Sequence, residues 1–421
     1  MKQNRRRIIV GVYVALLTFF TYTCVFAFRK PFTVALFENY RLLGLPYQTV
    51  LIISQVIGYM LSKFMGIRLI SSLSRNHRWR PAAWLMGTGW LSLLFFAVLP
   101  YTLGPFCFLV NGFCMGFMWG IVYSYAEGRK ATDMIGSSLA VSFIFAGGFT
   151  RSVARYLMLN FEISAFWVPF MTGLVFVLPL MILFYLLELA PGPDHEDVTE
   201  RVERVSMSKE DRKKIFSSFR FGLIVIAVGY GMLTIVRDIR DNYMSNIWRE
   251  LGYADSASIF TKSETRISLV VLIVMALLVL VRNNIKAFML IHTMICVGFV
   301  ISLVSSLLFL FGKVDGSVWM QTAGLGLYMA YIPYNAVFFD RMIASFRIIG
   351  NVGFLIYLID AFGYLGSVFV MLTKSWMSED VSWSNYFAYM VVGVGMLGFI
   401  GTLISSVYFI KKYRLQVANQ L

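Results

Sequence analysis

Residues 8–37 read IIVGVYVALLTFFTYTCVFAFRKPFTVALF, an apolar stretch that nevertheless contains Arg29 and Lys30, followed at once by Pro31. A helix that spans a membrane needs about 20 mostly apolar residues. The basic start of the chain resembles a signal peptide, but the apolar run is too long for an h-region and no small-x-small cleavage site follows it. We therefore predict a retained first transmembrane helix that carries two cations.

Similar apolar stretches recur along the whole chain of 421 residues, which is 58% hydrophobic and only 14% charged. Soluble domains of ordinary composition are far less apolar. Stretches such as 84–100 and 269–281 also lack the polar stripe of a helix that faces water. The sequence therefore predicts an all-α membrane protein in contact with lipid.

Twelve stretches have the length and composition of a spanning helix. They lie near residues 8–37, 47–73, 81–100, 103–125, 134–158, 165–190, 220–240, 257–281, 286–311, 317–340, 345–373 and 385–410. A polar, charged segment separates the first six from the last six. We predict two pseudo-symmetric bundles of six transmembrane helices, at 1–190 and 220–421, joined by a cytoplasmic linker at 191–219.

A weak internal repeat supports this division into halves. Arg29 is followed twelve residues later by the segment 41–44, RLLG, and Arg237 is followed twelve residues later by the segment 249–252, RELG. The first and seventh helices therefore correspond. Duplicated bundles are typical of transporters whose substrate site lies between the halves, near the middle of the bilayer.

The distribution of the basic residues predicts the orientation. Of the 37 Lys and Arg residues, 23 lie at the ends and in the loops on the side of the N-terminus, and four lie in the opposite loops. Because cytoplasmic loops are rich in Lys and Arg, both termini are expected in the cytoplasm, with the protein in the inner (plasma) membrane. The basic charge is explained by topology, so no nucleic-acid partner is expected.

Catalytic and metal-binding patterns are missing from the sequence. The four cysteines and three histidines are scattered, with no CxxC spacing and no acidic cluster beside them. This pattern favours neither a metal site nor a disulfide. We expect no cofactor, no metal and no enzymatic activity, and we expect a monomer.

Arg29 and Arg237 are the main candidates for substrate binding. An arginine inside a spanning helix is costly and usually faces a cavity or a partner. The planar guanidinium matches an oxyanion such as phosphate, and it stays charged at any physiological pH. Two such side chains facing each other would hold a small anionic solute. The alternative is that both reach the membrane surface, or that Arg237 pairs with Asp241 one turn further on.

Other polar residues in apolar stretches extend this candidate site. Lys30, Lys63 and Arg151 are further candidate anion contacts, and Tyr331 and Asn335, in a helix with Tyr328 and Tyr334, are candidates for lining a polar cavity. Asp360 and Glu127 are candidates for proton coupling, since an intramembrane carboxylate can relay protons or pair with an arginine. Arg155, one turn after Arg151, either joins the anion site or pairs structurally, for example with Glu162. Lys262, Glu264 and Arg266 are expected to neutralise one another. Glycines 112, 116 and 120 form a ridge that predicts close helix packing.

Several motifs resemble the major facilitator superfamily, and within it the organophosphate:phosphate antiporters. Residues 28–32, FRKPF, are similar to the first-helix Arg-Lys-Asn-Phe segment, and Gly58-Tyr59 with Ser62-Lys63-Phe64 resembles the second-helix run of that group. The resemblance implies that Arg29 and Arg237 bind a phosphoryl group, assisted by Lys30 and Lys63. The histidine usual in the fifth helix is absent near Ile144.

These observations favour a secondary transporter that moves a small organic anion, most of all a phosphorylated solute, by alternating access in exchange for inorganic phosphate. A proton-coupled transporter that uses Asp360 is one alternative. A transporter-like membrane receptor for a phosphorylated ligand is another, because the resembling group also contains sensors. The sequence does not separate a transporter from a sensor, whereas a flux measurement does.

Overall fold

The computed structural model describes residues 2–71, 78–126, 129, 131–192, 209–347, 353–376 and 381–418. These residues form α1 (Lys2–Phe26), α2 (Tyr47–Ser71), α3 (Trp79–Val98), α4 (Gly104–Ser124), α5 (Thr132–Phe161), α6 (Val168–Glu188), α7 (Lys209–Glu250), α8 (Ile259–Val279), α9 (Asn284–Leu310), α10 (Gly316–Pro333), α11 (Phe339–Phe346), α12 (Gly353–Trp376) and α13 (Trp383–Ala418). Short 3₁₀ helices lie at Pro31–Val34 and Tyr101–Leu103.

The all-α fold predicted from the sequence is confirmed. Helices α10 and α11 are joined without a break by a π-helical turn, Tyr334–Phe338, so the described chain forms twelve successive helical segments. Within the described residues, eight helices are long and apolar enough to cross a membrane by length and composition. In lipid, helices satisfy every backbone polar group internally, which is why apolar stretches of this length fold in this way.

The first helix ends earlier than the sequence predicted. Helix α1 stops at Phe26, and Arg29 and Lys30 lie in the turn before the 3₁₀ helix that begins at Pro31. Proline donates no backbone hydrogen bond, and its ring clashes with the carbonyl four residues earlier, so a regular helix does not run through it. The first helix is therefore broken where the two cations stand.

The seventh helix is longer than predicted. Helix α7 has 42 residues and continues through the charged run at 237–241, where the sequence suggested its end. Two of those charged residues, Arg240 and Asp241, form buried ion pairs, so the charges do not need to leave the helix.

Contacts between residues divide the chain into two compact units. The first unit comprises Met1–Arg201, Ile239–Leu269 and Val368–Trp383, and the second comprises Val202–Asp238, Val270–Ser367 and Ser384–Leu421. The division into halves at residues 191–219 stays a prediction from the sequence.

Glycines permit the close approach of helices in both units. In the first unit, a Cβ atom on Gly112 or Gly116 of α4 would collide with Gln55 or Ser62 of α2, so the predicted glycine packing is confirmed at these two positions. In the second unit, Gly298 of α9 and Gly326 of α10 each lie against the other's carbonyl oxygen. Such small-residue contacts are common between membrane helices.

A short hairpin connects the 3₁₀ helix to α2. Its strands, β1 (Arg41–Leu42) and β2 (Leu45–Pro46), pair antiparallel. The two turn residues, Leu43 and Gly44, have positive φ angles of 55° and 77°. Positive φ at both central residues is the feature of the type I′ turn, which suits the twist of a hairpin.

Candidate functional site

Arg29 and Lys63 share one aromatic ring in the first unit. The Arg29 guanidinium carbon lies 3.9 Å from the centroid of the Tyr59 ring, and Lys63 Nζ lies 5.1 Å from it. Both cationic side chains are buried, each with 7% exposure. A cation near the face of an aromatic ring is stabilised by the ring quadrupole, and the stabilisation increases where water is excluded. Tyr59 therefore holds two cations in one buried region.

Side-chain amides hold the backbone at Arg29 in place. Gln55 Nε2 donates to the Arg29 carbonyl at 2.9 Å and to Asn111 Oδ1 at 2.9 Å. Asn111 Nδ2 in turn donates to the Phe28 carbonyl at 2.9 Å. These bonds satisfy two carbonyl groups of the turn after α1, as buried backbone groups require, while the last carbonyls of α1 accept from backbone N–H groups of the same turn. The position of Arg29 is thus fixed by α2 and α4.

Lys30 and Arg151 bind the same carboxylate, that of Asp241. Lys30 Nζ lies 2.6 Å from Asp241 Oδ2, and Arg151 Nη2 lies 2.9 Å from Asp241 Oδ1. Lys30 also donates to Asn242 Oδ1 at 2.7 Å, and Arg151 Nε donates to Thr33 Oγ1 at 2.9 Å. We call Lys30, Arg151 and Asp241 the Asp241 triad.

The partners of Asp241 in the triad differ from the pairing with Arg237 that the sequence suggested as an alternative. Asp241 binds cations of α5 and of the turn after α1, and not Arg237 of its own helix. The role of Lys30 and Arg151 as substrate contacts stays a prediction: in this structure both cations pair with one carboxylate, which leaves the triad with a net positive charge.

The end of α7 that lies in the first unit makes further polar contacts. Arg240 binds Glu264 of α8 with two hydrogen bonds, of 3.0 and 2.7 Å, and both side chains are buried. Gln48 and Asn246 exchange hydrogen bonds, and Thr49 is 2.9 Å from the Tyr243 hydroxyl. Glu264 therefore pairs with Arg240, where the sequence suggested Lys262 and Arg266. Arg155 donates to the Ala254 carbonyl, where Glu162 was one suggested partner.

Arg237 of the second unit lies against two tyrosine rings. Its guanidinium carbon lies 4.6 Å from the Tyr331 ring centroid and 5.9 Å from that of Tyr364, and Nη2 donates to the Tyr364 hydroxyl at 3.3 Å. Its Nε is buried and has no hydrogen-bond partner among the described residues. Its neighbour Asp238 attracts it electrostatically. The described part of the chain contains no ion pair with Arg237.

A tyrosine cluster with one carboxylate lies beside Arg237. Tyr230 donates from its hydroxyl to Asp360 Oδ1 at 2.7 Å, and its ring lies 5.5 Å from that of Tyr331 and 5.2 Å from that of Tyr334. Asn335 lies in the π-helical turn, and its Nδ2 is buried without a partner among the described residues. π-Helical turns are frequent at functional sites. The predicted residues Tyr331, Asn335 and Asp360 thus belong to the same unit as Arg237.

Two further residues were singled out in the sequence, Glu127 and Tyr328. Glu127, a candidate for proton coupling, lies outside the described residues. Tyr328 is buried on α10 with 4% exposure.

Two important residues were missed or undervalued in the sequence. Asp241 was considered only as a partner of Arg237, although the run RDIRD at 237–241 signals unusual charge in a spanning helix. Trp119 of α4, whose ring centroid lies 5.4 Å from Lys63 Nζ, had no signal in the sequence, because its surroundings depend on the contact between α2 and α4. Within the described residues, no group of three His, Cys, Asp or Glu side chains could hold a metal ion.

Comparison with known proteins gives a family and a fold. The model of a "Family of unknown function (DUF5690)" matches residues 31–412. No curated protein matches the chain.

Several solved transporters are similar over nearly their whole length. The nucleoside transporter NupG is 15% identical with a TM-score of 0.60, and the match covers 95% of this chain and 99% of that one. A D-xylose-proton symporter is 14% identical with a TM-score of 0.61, covering 95% and 97%. The human organic anion transporter MFSD10 is 12% identical with a TM-score of 0.53, covering 95% and 99%.

These similarities show the fold of the major facilitator superfamily, as the sequence predicted. The proteins named are all transporters or symporters. Membership of the organophosphate antiporter group stays a prediction.

Proposed function

Since the chain belongs to the DUF5690 family of unknown function and has the fold of the major facilitator superfamily, we propose that it is a secondary transporter of a small organic anion. The preferred substrate is a phosphorylated solute, moved by alternating access in exchange for inorganic phosphate. The transporter resides in the inner membrane with both termini in the cytoplasm.

The surroundings of Arg237 carry this proposal. An arginine in a spanning helix costs roughly 2.5–3.5 kcal/mol on insertion scales, so it is normally kept for a functional reason. Arg237 lies against Tyr331 and Tyr364, has a buried Nε without a hydrogen-bond partner and forms no ion pair among the described residues. A guanidinium presents its donors in a planar fork that suits phosphoryl and carboxylate oxygens. An anionic substrate would supply the missing acceptor.

Each unit contains further candidate residues. Asn335 supplies a second buried donor, and Tyr331 supplies an aromatic wall in the second unit. In the first unit, Arg29 and Lys63 are held on Tyr59. Lys30 and Arg151 share the single carboxylate of Asp241, so the triad adds a net positive charge to the first unit.

The charge of the site also suggests exchange as the mode of transport. In a sealed site, a guanidinium such as that of Arg237, which forms no ion pair among the described residues, has lost water without gaining an ionic partner, which is unfavourable. A bound anion removes this cost. Closure of the loaded site is therefore favoured over closure of the empty site, which couples the exit of one anion to the entry of another. The organic anion transporter MFSD10 shows that an anion transporter can have this fold.

Counterflow in proteoliposomes tests the proposal. The purified chain is reconstituted, the vesicles are loaded with unlabelled inorganic phosphate, and the uptake of labelled phosphate is measured alone and against a panel of organophosphates and carboxylates. We expect uptake that depends on internal phosphate and is inhibited by the transported organophosphate. An absence of uptake of every anion contradicts the proposal. Binding of an anion without flux would instead indicate a receptor.

Asp360 supports a second candidate, a proton-coupled transporter. Its carboxylate accepts a hydrogen bond from Tyr230 of α7, and it lies within electrostatic reach of Tyr331 of α10, which also contacts Arg237. A carboxylate inside a spanning helix can bind and release a proton during transport. The D-xylose-proton symporter shows that this fold is compatible with proton coupling.

A pH gradient distinguishes the two candidates. If Asp360 couples protons, acidification outside the vesicles accelerates uptake by the wild type, and Asp360→Asn removes this response. The control is Asp255→Asn, which changes an exposed carboxylate in the loop after α7. No response in the wild type would leave exchange without protons as the mechanism, and a response that persists in Asp360→Asn would exclude Asp360 as the coupling group.

A further inference from the structure

Trp119 of α4 has a buried donor without an acceptor. Its Nε1 is buried and has no hydrogen-bond partner among the described residues. A buried tryptophan N–H usually has a partner, because leaving the group unsatisfied costs about 1–3 kcal/mol. The indole ring stacks on Tyr123 at a centroid distance of 4.9 Å and an interplanar angle of 7°. The ring is therefore fixed by packing, while its polar edge is unsatisfied.

The same indole lies beside a cation of the proposed site. Lys63 Nζ is 5.4 Å from the centroid of the Trp119 ring and 5.1 Å from that of Tyr59. Tyr59 also contacts the Arg29 guanidinium. We call Arg29, Tyr59, Lys63 and Trp119 the cation–aromatic cluster. It brings two positive charges and one unsatisfied N–H into one region of the first unit.

The packing of α2 against α4 explains why this cluster forms. Gly116, three residues before Trp119, lies so close to Ser62 and Tyr59 that a Cβ atom would collide with them. Ser62 immediately precedes Lys63 in α2. The absence of a side chain at Gly116 therefore allows the Lys63 segment to approach the Trp119 turn.

We propose that Trp119 is a binding residue for the transported anion, and that its Nε1–H donates to one oxygen of a phosphoryl group. This inference rests on the proposed function and extends it to substrate class. The cluster offers three kinds of donor, from Arg29, Lys63 and Trp119. A phosphoryl group carries about 1.5 to 2 negative charges, whereas a carboxylate carries one. Two cations in one region therefore favour phosphoryl over carboxylate substrates.

Trp119→Phe removes the N–H and keeps an aromatic ring beside Lys63. The matched control is Trp90→Phe, because Trp90 lies in the same unit and its Nε1 already donates to the Phe170 carbonyl at 3.1 Å. Equilibrium binding of inorganic phosphate to the purified full-length protein is measured for both. A hydrogen bond to a charged group is worth enough to change affinity about tenfold. We expect about tenfold weaker binding in Trp119→Phe and a change of less than about twofold in Trp90→Phe.

A second measurement observes the Trp119 N–H directly in the wild-type protein. The nine tryptophans are labelled with ¹⁵N at the indole nitrogen, and their N–H resonances are recorded with and without inorganic phosphate. The Trp119 resonance, identified by its absence in Trp119→Phe, should shift downfield on addition of phosphate. Acetate at the same concentration should cause a smaller shift.

The outcomes separate this inference from the proposed function. If the wild type binds phosphate but Trp119→Phe binds it equally well and the Trp119 resonance does not move, the role of Trp119 is overturned and anion transport stands. If the wild type binds and exchanges no anion at all, the proposed function is overturned, together with the role of Trp119.

Discussion

Asp241 carries the charge balance at the buried turn after α1. Its carboxylate binds Lys30 and Arg151, whose side chains are 1% and 0% exposed. Removing the negative charge leaves two desolvated cations close together, whereas removing Lys30 leaves a carboxylate still paired with Arg151. The two positions should therefore respond very differently to substitution.

We expect Asp241→Asn to destabilise the protein by about 3–5 kcal/mol, the usual cost of breaking a buried ion pair. Lys30→Met, which keeps the length of the side chain and leaves the Arg151–Asp241 pair, should cost only about 1–3 kcal/mol for the lost hydrogen bonds. Thermal unfolding in detergent shows which of the two variants is less stable. Equal stability of the two, or the reverse order, would show that Asp241 does not balance both cations.

The chemistry of single residues was only partly predictable from the sequence. Arg29, Lys63 and Arg237 stand out because a charge in an apolar stretch is unusual whatever surrounds it. The partner of Arg151 did not stand out, since Asp241 is 90 residues away in the chain. Trp119 gave no sign at all, because an unsatisfied donor is recognised only after all its neighbours are placed.

At the scale of the elements, the contact between α2 and α4 positions much of the first unit. Gln55 and Asn111 join across it to hold the Arg29 backbone, and Lys63 and Trp119 meet across it. Gly112 lies against the carbonyl oxygen of Gln55 at its centre. The close approach of these helices is therefore a requirement for the site as well as for the fold.

A pair of glycine substitutions tests this contact. A methyl group at Gly112 must displace the backbone of α2, so Gly112→Ala should destabilise the protein by about 1–3 kcal/mol, in the range of overpacked cores. At Gly87 of α3 a Cβ atom would meet nothing within 4 Å, so Gly87→Ala should be neutral or stabilising by up to about 1 kcal/mol. Thermal midpoints of the two variants provide the comparison. A Gly112→Ala variant as stable as Gly87→Ala would contradict the described packing.

The limits of the helices show what a hydropathy pattern can and cannot predict. Apolar length predicted the succession of helices well, because a chain in lipid has few ways to satisfy its backbone. The pattern missed the break of the first helix. This break depends on Pro31 and on the side-chain amides that donate to the carbonyls of Phe28 and Arg29. The pattern also ended the seventh helix too early, since the charges at 237–241 are compensated by residues of other helices.

At the scale of the whole molecule, the excess of Lys and Arg on one side predicts both termini in the cytoplasm. Fusions of a fluorescent protein and of a periplasmic phosphatase after Leu421 test this orientation in cells. We expect a fluorescent first fusion and an inactive second one. The opposite pattern would contradict the predicted orientation.

The fold of the whole molecule was predictable and the transported solute was not. Twelve helical segments follow from composition and length, and the solved transporters confirm the superfamily fold. Substrate choice depends on a few polar atoms, such as Arg237 Nε and Asn335 Nδ2, whose surroundings no sequence pattern reports. The identity of the anion therefore has to come from measurement.

The central claim is that Arg237 binds the transported anion, and phosphate exchange in proteoliposomes tests it most directly. Arg237→Gln and Arg29→Gln are compared with Arg249→Gln, which changes a 43% exposed arginine paired with Glu38. Loss of a charged contact to the substrate should slow exchange at subsaturating phosphate about 10- to 100-fold in the first two variants and leave the third close to wild type. Wild-type exchange by correctly folded Arg237→Gln protein would contradict the account.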